Sequence, residues 1–274
     1  MATVQNGSVS LHVEDTGGEG RPVVLIHGWP LSGASWSEQV PALTGAGYRV
    51  VTYDRRGFGS SSKPGADCTY DYDTLTTDLD AVLTELDLRD ATLVGFSMGG
   101  GEVARYLGTH GADRVRSVVF AAAIPPCLKL DDEHPDGALD DATVQSMQEA
   151  LEADRPGFLD GFTRNFFSAD GVLKVTEEQR QAALGLALQA ELHGARECIR
   201  SWTEDFRDDL AKTSVPTLVI HGDADAIVPL EKSGQLTHEQ VPGSELHVIS
   251  GGPHGINVSH AAEFNEALLT FLSR

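Results

Sequence analysis

Residues 93–99 read Leu93-Val94-Gly95-Phe96-Ser97-Met98-Gly99. An apolar run ends on a serine set between small residues, and a helix is expected to begin near Gly99. The pentapeptide from Gly95 to Gly99 matches G-x-S-x-G. A sharp strand-to-helix turn of this kind lifts the serine Oγ clear of a sheet edge, and only small neighbours let the backbone turn so tightly. The N-terminus of the following helix favours negative charge developing beside it. A glycine-rich turn with an incidental serine is the plain alternative. The strand on one side and the helix on the other favour Ser97 as a nucleophile.

Outward from this turn, short apolar runs alternate with amphipathic stretches. The runs are residues 23–26, 48–53, 91–96, 115–121, 215–220 and 245–249. Rich in Val, Ile and Leu and bounded by turn residues, they read as strands buried on both faces. Leu75, Leu79, Val82 and Leu86 fall on one helical face, as do Phe264, Leu268 and Phe271. Strands alternating with helices predict an α/β fold with a mostly parallel, doubly wound sheet. Residues 8–15 alternate Val9, Leu11 and Val13 with polar partners, which predicts a half-exposed antiparallel edge strand. The alternation breaks over residues 125–210, which start at Pro125-Pro126 and are helical in pattern. This segment is expected to be a helical cap, and residues 1–124 and 211–274 the core.

A serine hydroxyl needs an adjacent base, itself oriented by a third group. On strand–turn–helix elbows the order along the chain is Ser, then acid, then His. Residues 217–229 end a late strand and offer Asp223 and Asp225. Asp225 lies further round the loop and is the favoured acid; Asp223 is expected to brace the turn. Of ten histidines, only His254 sits in a glycine-rich loop between the last strand and the last helix. His247 lies inside the strand, His260 on the final helix, and His221 reads as a strand-end structural residue. Donors for a tetrahedral oxyanion are expected from the backbone N–H groups of Met98 and Trp29, the latter on the loop His27-Gly28-Trp29-Pro30. Asp54-Arg55-Arg56-Gly57-Phe58-Gly59-Ser60 reads as scaffold whose arginines lock neighbouring carboxylates. Phe158, Phe162 and Phe166 recur every four residues in the cap, as Trp202 and Phe206 do. An apolar pocket is expected from some of these aromatics with Trp29, and Trp29, Pro30, Phe162 and Ile227 are its candidate lining.

Composition limits the partners. The 274 residues hold 41 acidic and 20 basic side chains, a net charge of −21. Phosphate backbones and anionic lipid repel such a chain, so neither nucleic acid nor membrane is an expected partner. A small-molecule substrate is expected, and a homo-oligomer stays open. Residues 131–210 carry 19 acidic and 7 basic residues, so more than half the excess lies on under a third of the chain. Cys68, Cys127 and Cys198 show no metal or disulfide spacing. No HExxH, EF-hand or P-loop pattern occurs, so no cofactor and no metal are expected. Residues 1–20 lack a basic stretch followed by an apolar core, so the expected location is the cytoplasm.

These residues resemble the α/β-hydrolase superfamily, and within it the cofactor-free bacterial haloperoxidases and arylesterases. The likeness rests on Tyr53-Asp54-Arg55-Arg56-Gly57-Phe58-Gly59, on residues 94–106 and on Pro253-His254-Gly255; it is weakest in the cap. The resemblance implies nucleophile Ser97, acid Asp225 and base His254, oxyanion donors Trp29 and Met98, and no haem or metal. It also implies esterase activity through an acyl-enzyme. Perhydrolase activity goes with it, in which hydrogen peroxide replaces water and the released peracid oxidises halide. Pro30 then stands where a carbonyl would hold the peroxide. A lactam hydrolase, or a non-catalytic receptor for a small ligand, are the alternatives on the same fold.

Overall fold

The computed structural model describes residues 2–274. The strands are β1 (Ala2–Asn6), β2 (Val9–Asp15), β3 (Pro22–Ile26), β4 (Arg49–Tyr53), β5 (Ala91–Phe96), β6 (Val115–Ala121), β7 (Ser168–Ala169), β8 (Val172–Leu173), β9 (Thr217–Gly222) and β10 (Glu245–Ile249). The helices are α1 (Gln39–Gly45), α2 (Tyr72–Glu85), α3 (Met98–His110), α4 (Asp141–Ala153), α5 (Arg155–Phe166), α6 (Glu177–Ala187), α7 (Leu192–Ser201), α8 (Arg207–Leu210), α9 (Gly234–Gln240), α10 (Ile256–Ser259) and α11 (Ala261–Leu272). Eight strands form one sheet in the order β1-β2-β4-β3-β5-β6-β9-β10. The six from β4 to β10 in that order pair in parallel, and β1 and β2 pair antiparallel at one edge. This is the expected α/β-hydrolase fold class. The short β7–β8 hairpin stands apart from it.

All six residues of β5 are buried, as are Val23 to Ile26 of β3. Helices on both faces explain why these runs are apolar throughout. Helices α2, α3 and α9 lie on one face and α1 and α11 on the other. Helix α2 starts where the Asp71 carboxylate accepts from the Thr74 N–H, which satisfies one of its free donors. Strand β2 buries Val9, Leu11 and Val13 in alternation, as expected. It is not the edge, however: β1 covers it, in register from Ala2 opposite Val13 to Asn6 opposite Val9. Only Val4 of β1 is buried, so this strand carries no alternation for a sequence reading to find.

The insertion between β6 and β9 holds α4 to α8. Its first helix begins only at Asp141, not at Pro125. Pro125, Pro126, Pro135 and Gly137 interrupt any helix before that point, and a bridge between Lys129 and Leu139 ties the loop instead. Arg180 pins α6 to α5, with its guanidinium on Glu177 and on the backbone and carboxylate of Asp160. The Gln148 side chain donates to the Arg196 carbonyl and joins α4 to α7. Of the 19 acidic side chains in residues 131–210, only Asp209 is buried, so the charge lies on solvated surface.

Parallel register sets the site. Ile26 lies opposite both Tyr53 and Gly95, Phe96 opposite Ala121, Ala121 opposite Ile220, and Gly222 opposite Ile249. The C-terminal ends of β3, β5, β9 and β10 therefore reach one edge, where ligands of doubly wound sheets bind.

Candidate active site

Ser97 follows β5 directly and has φ 55° and ψ −121°. A positive φ at a non-glycine residue is strained and persists only where its surroundings enforce it. The flanking glycines show why. A Cβ on Gly95 would meet the Gly99 carbonyl oxygen at 2.4 Å, and one on Gly99 would meet the Ile26 carbonyl oxygen at 2.5 Å. The elbow can thus close on itself and on β3 only with glycine at both places.

The Ser97 hydroxyl lies 2.9 Å from Nε2 of His254. Nδ1 of His254 lies 2.7 Å from Oδ2 of Asp225. With a carboxylate at Nδ1, that nitrogen carries the proton and Nε2 is left to accept from the serine. Oδ1 of Asp225 accepts from the backbone N–H groups of Ile227 and Val228 at 2.9 and 2.8 Å. Burial alone would push the Asp225 carboxyl up. The His254 imidazole and the hydrogen bonds from His221 and His254 outweigh it and hold the carboxyl well below the usual carboxylate range. The His254 ring is enclosed by Phe96 and Phe166, with centroids 5.3 and 4.9 Å away.

The structure thus brings Ser97, Asp225 and His254 together and leaves the competitors elsewhere. Asp223 accepts from the Gly251 N–H at 2.6 Å and braces the turn. His247 faces Glu263, and His260 faces the Ser259 hydroxyl. His221 does more than end a strand. Its Nε2–H donates to the Val228 carbonyl at 2.8 Å and lies 3.4 Å from Oδ2 of Asp225. That contact carries no local sequence signal.

Met98 is the first residue of α3, and first-turn N–H groups have no acceptor within their helix. The Trp29 N–H has no acceptor among the described residues. Two free donors therefore flank the serine from different elements. Gly28 lets the β3 loop approach: a Cβ there would meet Ser97 Cβ at 3.0 Å and the Phe96 ring at 2.7 Å. The Trp29 indole N–H donates to the Ala195 carbonyl at 2.9 Å, which ties this loop to the cap.

A cavity of about 210 Å³ opens on Ser97. Trp29, Phe162 and Ile227 line it, as do Ile124, Leu128, Leu139, Met147, Trp202 and Val228. Asn165 is the polar cap residue among the lining, and no charged side chain belongs to it. Pro30 is a correction: it is buried and does not line this cavity. A hydrogen bond from Leu31 N–H to the Gly28 carbonyl closes a four-residue turn. Of the residues in that turn, Trp29 is the one that lines the cavity. Trp29 packs edge-on against Phe162 and Trp202, with centroids 4.8 and 5.0 Å away. Among the described residues, no cluster of three or more His, Cys, Asp or Glu side chains converges as a metal site.

The sequence profile of the alpha/beta hydrolase fold matches residues 21–261. The chain is 46% identical to a putative non-heme chloroperoxidase of Synechocystis, over 97% of this chain and 96% of that one. It is 43% identical to a non-heme chloroperoxidase of Kitasatospora aureofaciens, over 100% and 99%. The crystal structure of a bromoperoxidase from Bacillus anthracis superposes with a TM-score of 0.96 at 54% identity, covering 100% of this chain and 99% of that one. These matches cover almost the whole chain, and the protein belongs to the alpha/beta hydrolase family.

Proposed function

We propose that this chain is a serine hydrolase of small neutral esters that also makes peracids when hydrogen peroxide takes the place of water. The observation that carries the reading is the hydrogen-bonded relay Ser97–His254–Asp225 at the floor of an apolar cavity. Ser97 Oγ attacks the ester carbonyl while His254 Nε2 takes its proton. The N–H groups of Trp29 and Met98 hold the oxyanion. When the tetrahedral adduct collapses, the bond to the alcohol breaks and His254 returns the proton to that alcohol. Water then attacks the acyl-enzyme by the same steps and releases the acid. Hydrogen peroxide attacking in its place releases a peracid. The peracid transfers one oxygen to halide, giving hypohalite and the carboxylic acid. Asp225 stays ionised throughout and holds His254 in the competent tautomer.

The size and lining of the cavity support the substrate class. About 210 Å³ falls below the roughly 300–1,000 Å³ of pockets for drug-sized ligands, so a short acyl group fits. No cation lines the cavity to hold a free carboxylate. The names of the chloroperoxidase and bromoperoxidase relatives support the peroxide branch. Small molecules are then the partners, and the cytoplasm is the proposed location. The test pairs p-nitrophenyl acetate hydrolysis with bromination of monochlorodimedone in acetate and peroxide. Both should vanish in Ser97→Ala; hydrolysis unchanged in that variant removes the reading, and bromination absent in the parent leaves the esterase alone.

A further inference from the structure

Beneath the site lies a buried ion pair that the relay does not use. Arg55 and Glu102 have fully buried side chains. Arg55 Nε donates to Glu102 Oε1 at 2.6 Å, and Nη2 donates to the same oxygen. The Tyr53 hydroxyl donates to Oε2 at 2.5 Å. The carboxylate is therefore held by a guanidinium edge and a phenol. Nη2 of Arg55 also reaches across to the loop that follows β3, where it donates to the His27 carbonyl at 2.7 Å. The backbone N–H of Arg55 donates to Nε2 of His27 at 3.0 Å, and Nδ1–H of His27 donates to the Gly28 carbonyl at 2.9 Å. His27-Gly28 is thus gripped through its backbone and its ring, in each case from Arg55.

The two ends of this linkage matter. Glu102 lies four residues after Met98 on α3, on the same helix face one turn further on. His27-Gly28 leads directly into Trp29. Arg55 and Glu102 therefore connect the helix that carries one free N–H to the loop that carries the other. Stability is a weak reason for such a pair. Apolar side chains of similar volume usually serve a core as well or better, because burial strips both charges of water. Hydrocarbon cannot, however, hold the His27 carbonyl in one direction.

We infer that Arg55 and Glu102 are positioning residues for acyl transfer, fixing the Trp29 and Met98 N–H groups at the spacing a tetrahedral oxyanion requires. The inference rests on the acyl-transfer reading, which the Ser97→Ala assay checks separately. The test uses two variants. Tyr53→Phe/Arg55→Met/Glu102→Leu replaces the polar group by apolar side chains and leaves no charge at these three positions. Arg55→Lys keeps a cation beside Glu102 and loses the fork to His27. Each is measured for kcat and KM on p-nitrophenyl acetate per folded molecule. Inhibition by a short alkyl boronic acid, which forms a tetrahedral adduct on Ser97, is compared with inhibition by the planar carboxamide of the same chain. In the folded variants kcat should fall about 10- to 100-fold, the range expected for a misplaced oxyanion donor. KM and the carboxamide Ki should stay within about twofold, while the boronic acid Ki rises by the same factor as kcat falls. A merely structural role would lower the folded fraction and the melting temperature and leave kcat per folded molecule and the Ki ratio alone. That outcome overturns the inference. If the triple variant does not fold, Arg55→Lys decides by the same readings.

Discussion

His254 Nδ1 lies 2.7 Å from Asp225 Oδ2, in a shell where the two residues are 1% and 5% exposed. A carboxylate so enclosed keeps its charge only because its partners outweigh the loss of water. Asp225→Asn should therefore leave the fold intact and remove catalysis. The Ile227 and Val228 N–H groups keep the amide oxygen on their side, so the NH2 faces Nδ1 and the wrong imidazole tautomer follows. A loss of about ten-thousandfold in kcat is expected, with KM little changed. Steady-state kinetics on a p-nitrophenyl ester checks both numbers.

The same carboxylate links stability to pH. Its folded pKa lies below the unfolded value of about 3.9. Its contribution is complete above the unfolded value and is lost as pH falls through the folded one. The melting-temperature advantage of the parent over Asp225→Asn should therefore narrow as pH falls below about 4. An advantage that persists undiminished well below about pH 4 would mean that the carboxyl is not held low by its partners.

Asp225 is also met from behind, by His221 Nε2 at 3.4 Å from Oδ2. A donor there draws part of the carboxylate's charge away from His254. His221→Leu removes the donor at similar volume, so the negative charge acts more fully on the imidazole. One of the partners that hold the carboxyl low is then gone, so the acid-induced loss of stability should begin at higher pH than in the parent. An onset that stays in place would confine His221 to holding the Val228 carbonyl.

How much of this was legible in the sequence depends on range. Ser97 and His254 carry local signals, because each sits in a turn whose glycines are needed within a few residues. Asp225 is separable from Asp223 by loop position, since one faces the histidine and the other the Gly251 N–H. The cavity wall behaves differently. Leu128, Leu139 and Met147 face the cavity from the cap, and an apolar side chain facing a cavity has the same pattern as one facing a core. Pro30 is misread for a related reason: its place beside Trp29 says nothing about which of two adjacent side chains turns inward. Arg55 and Glu102 meet across 47 residues, a pairing that no helical or strand period encodes.

The elbow makes a prediction about backbone approach. Gly99→Ala places a methyl 2.5 Å from the Ile26 carbonyl oxygen, which is β3 backbone and cannot swing aside. The strand and the helix must part. Overpacking of this kind destabilises by about 1–3 kcal/mol. The same movement separates the Trp29 loop from Ser97, so kcat should fall in molecules that remain folded. Urea unfolding and rate measurements on one preparation test the two effects together.

The wall residues set acyl length. Ile227 and Met147 line the cavity, and truncating either to Ala makes room for further methylenes. Each added CH₂ that the enlarged cavity buries is worth about 0.8 kcal/mol, or about fourfold in kcat/KM. In Ile227→Ala the preferred p-nitrophenyl ester should therefore be longer than in the parent. Acetate should lose activity, since its methyl then faces a void. An unchanged preference across the acetate-to-hexanoate series would place the acyl group outside this cavity.

Charge enters last, and from a distance. The acidic excess of residues 131–210 lies on the solvated cap surface and none of it lines the cavity. It therefore acts on approach more than on the bound state. A field of this sign repels a carboxylate and leaves a neutral ester alone. Salt screens it, with a Debye length of about 10 Å at 0.1 M against about 30 Å at 0.01 M. Raising salt between these limits should lower the apparent KM for acetate in the peroxide-dependent reaction. The KM for p-nitrophenyl acetate should stay where it is. Reversing two or more cap carboxylates to lysine should reproduce the salt effect at low ionic strength. Equal salt responses of acid and ester would show that the cap charge does not reach the path of entry.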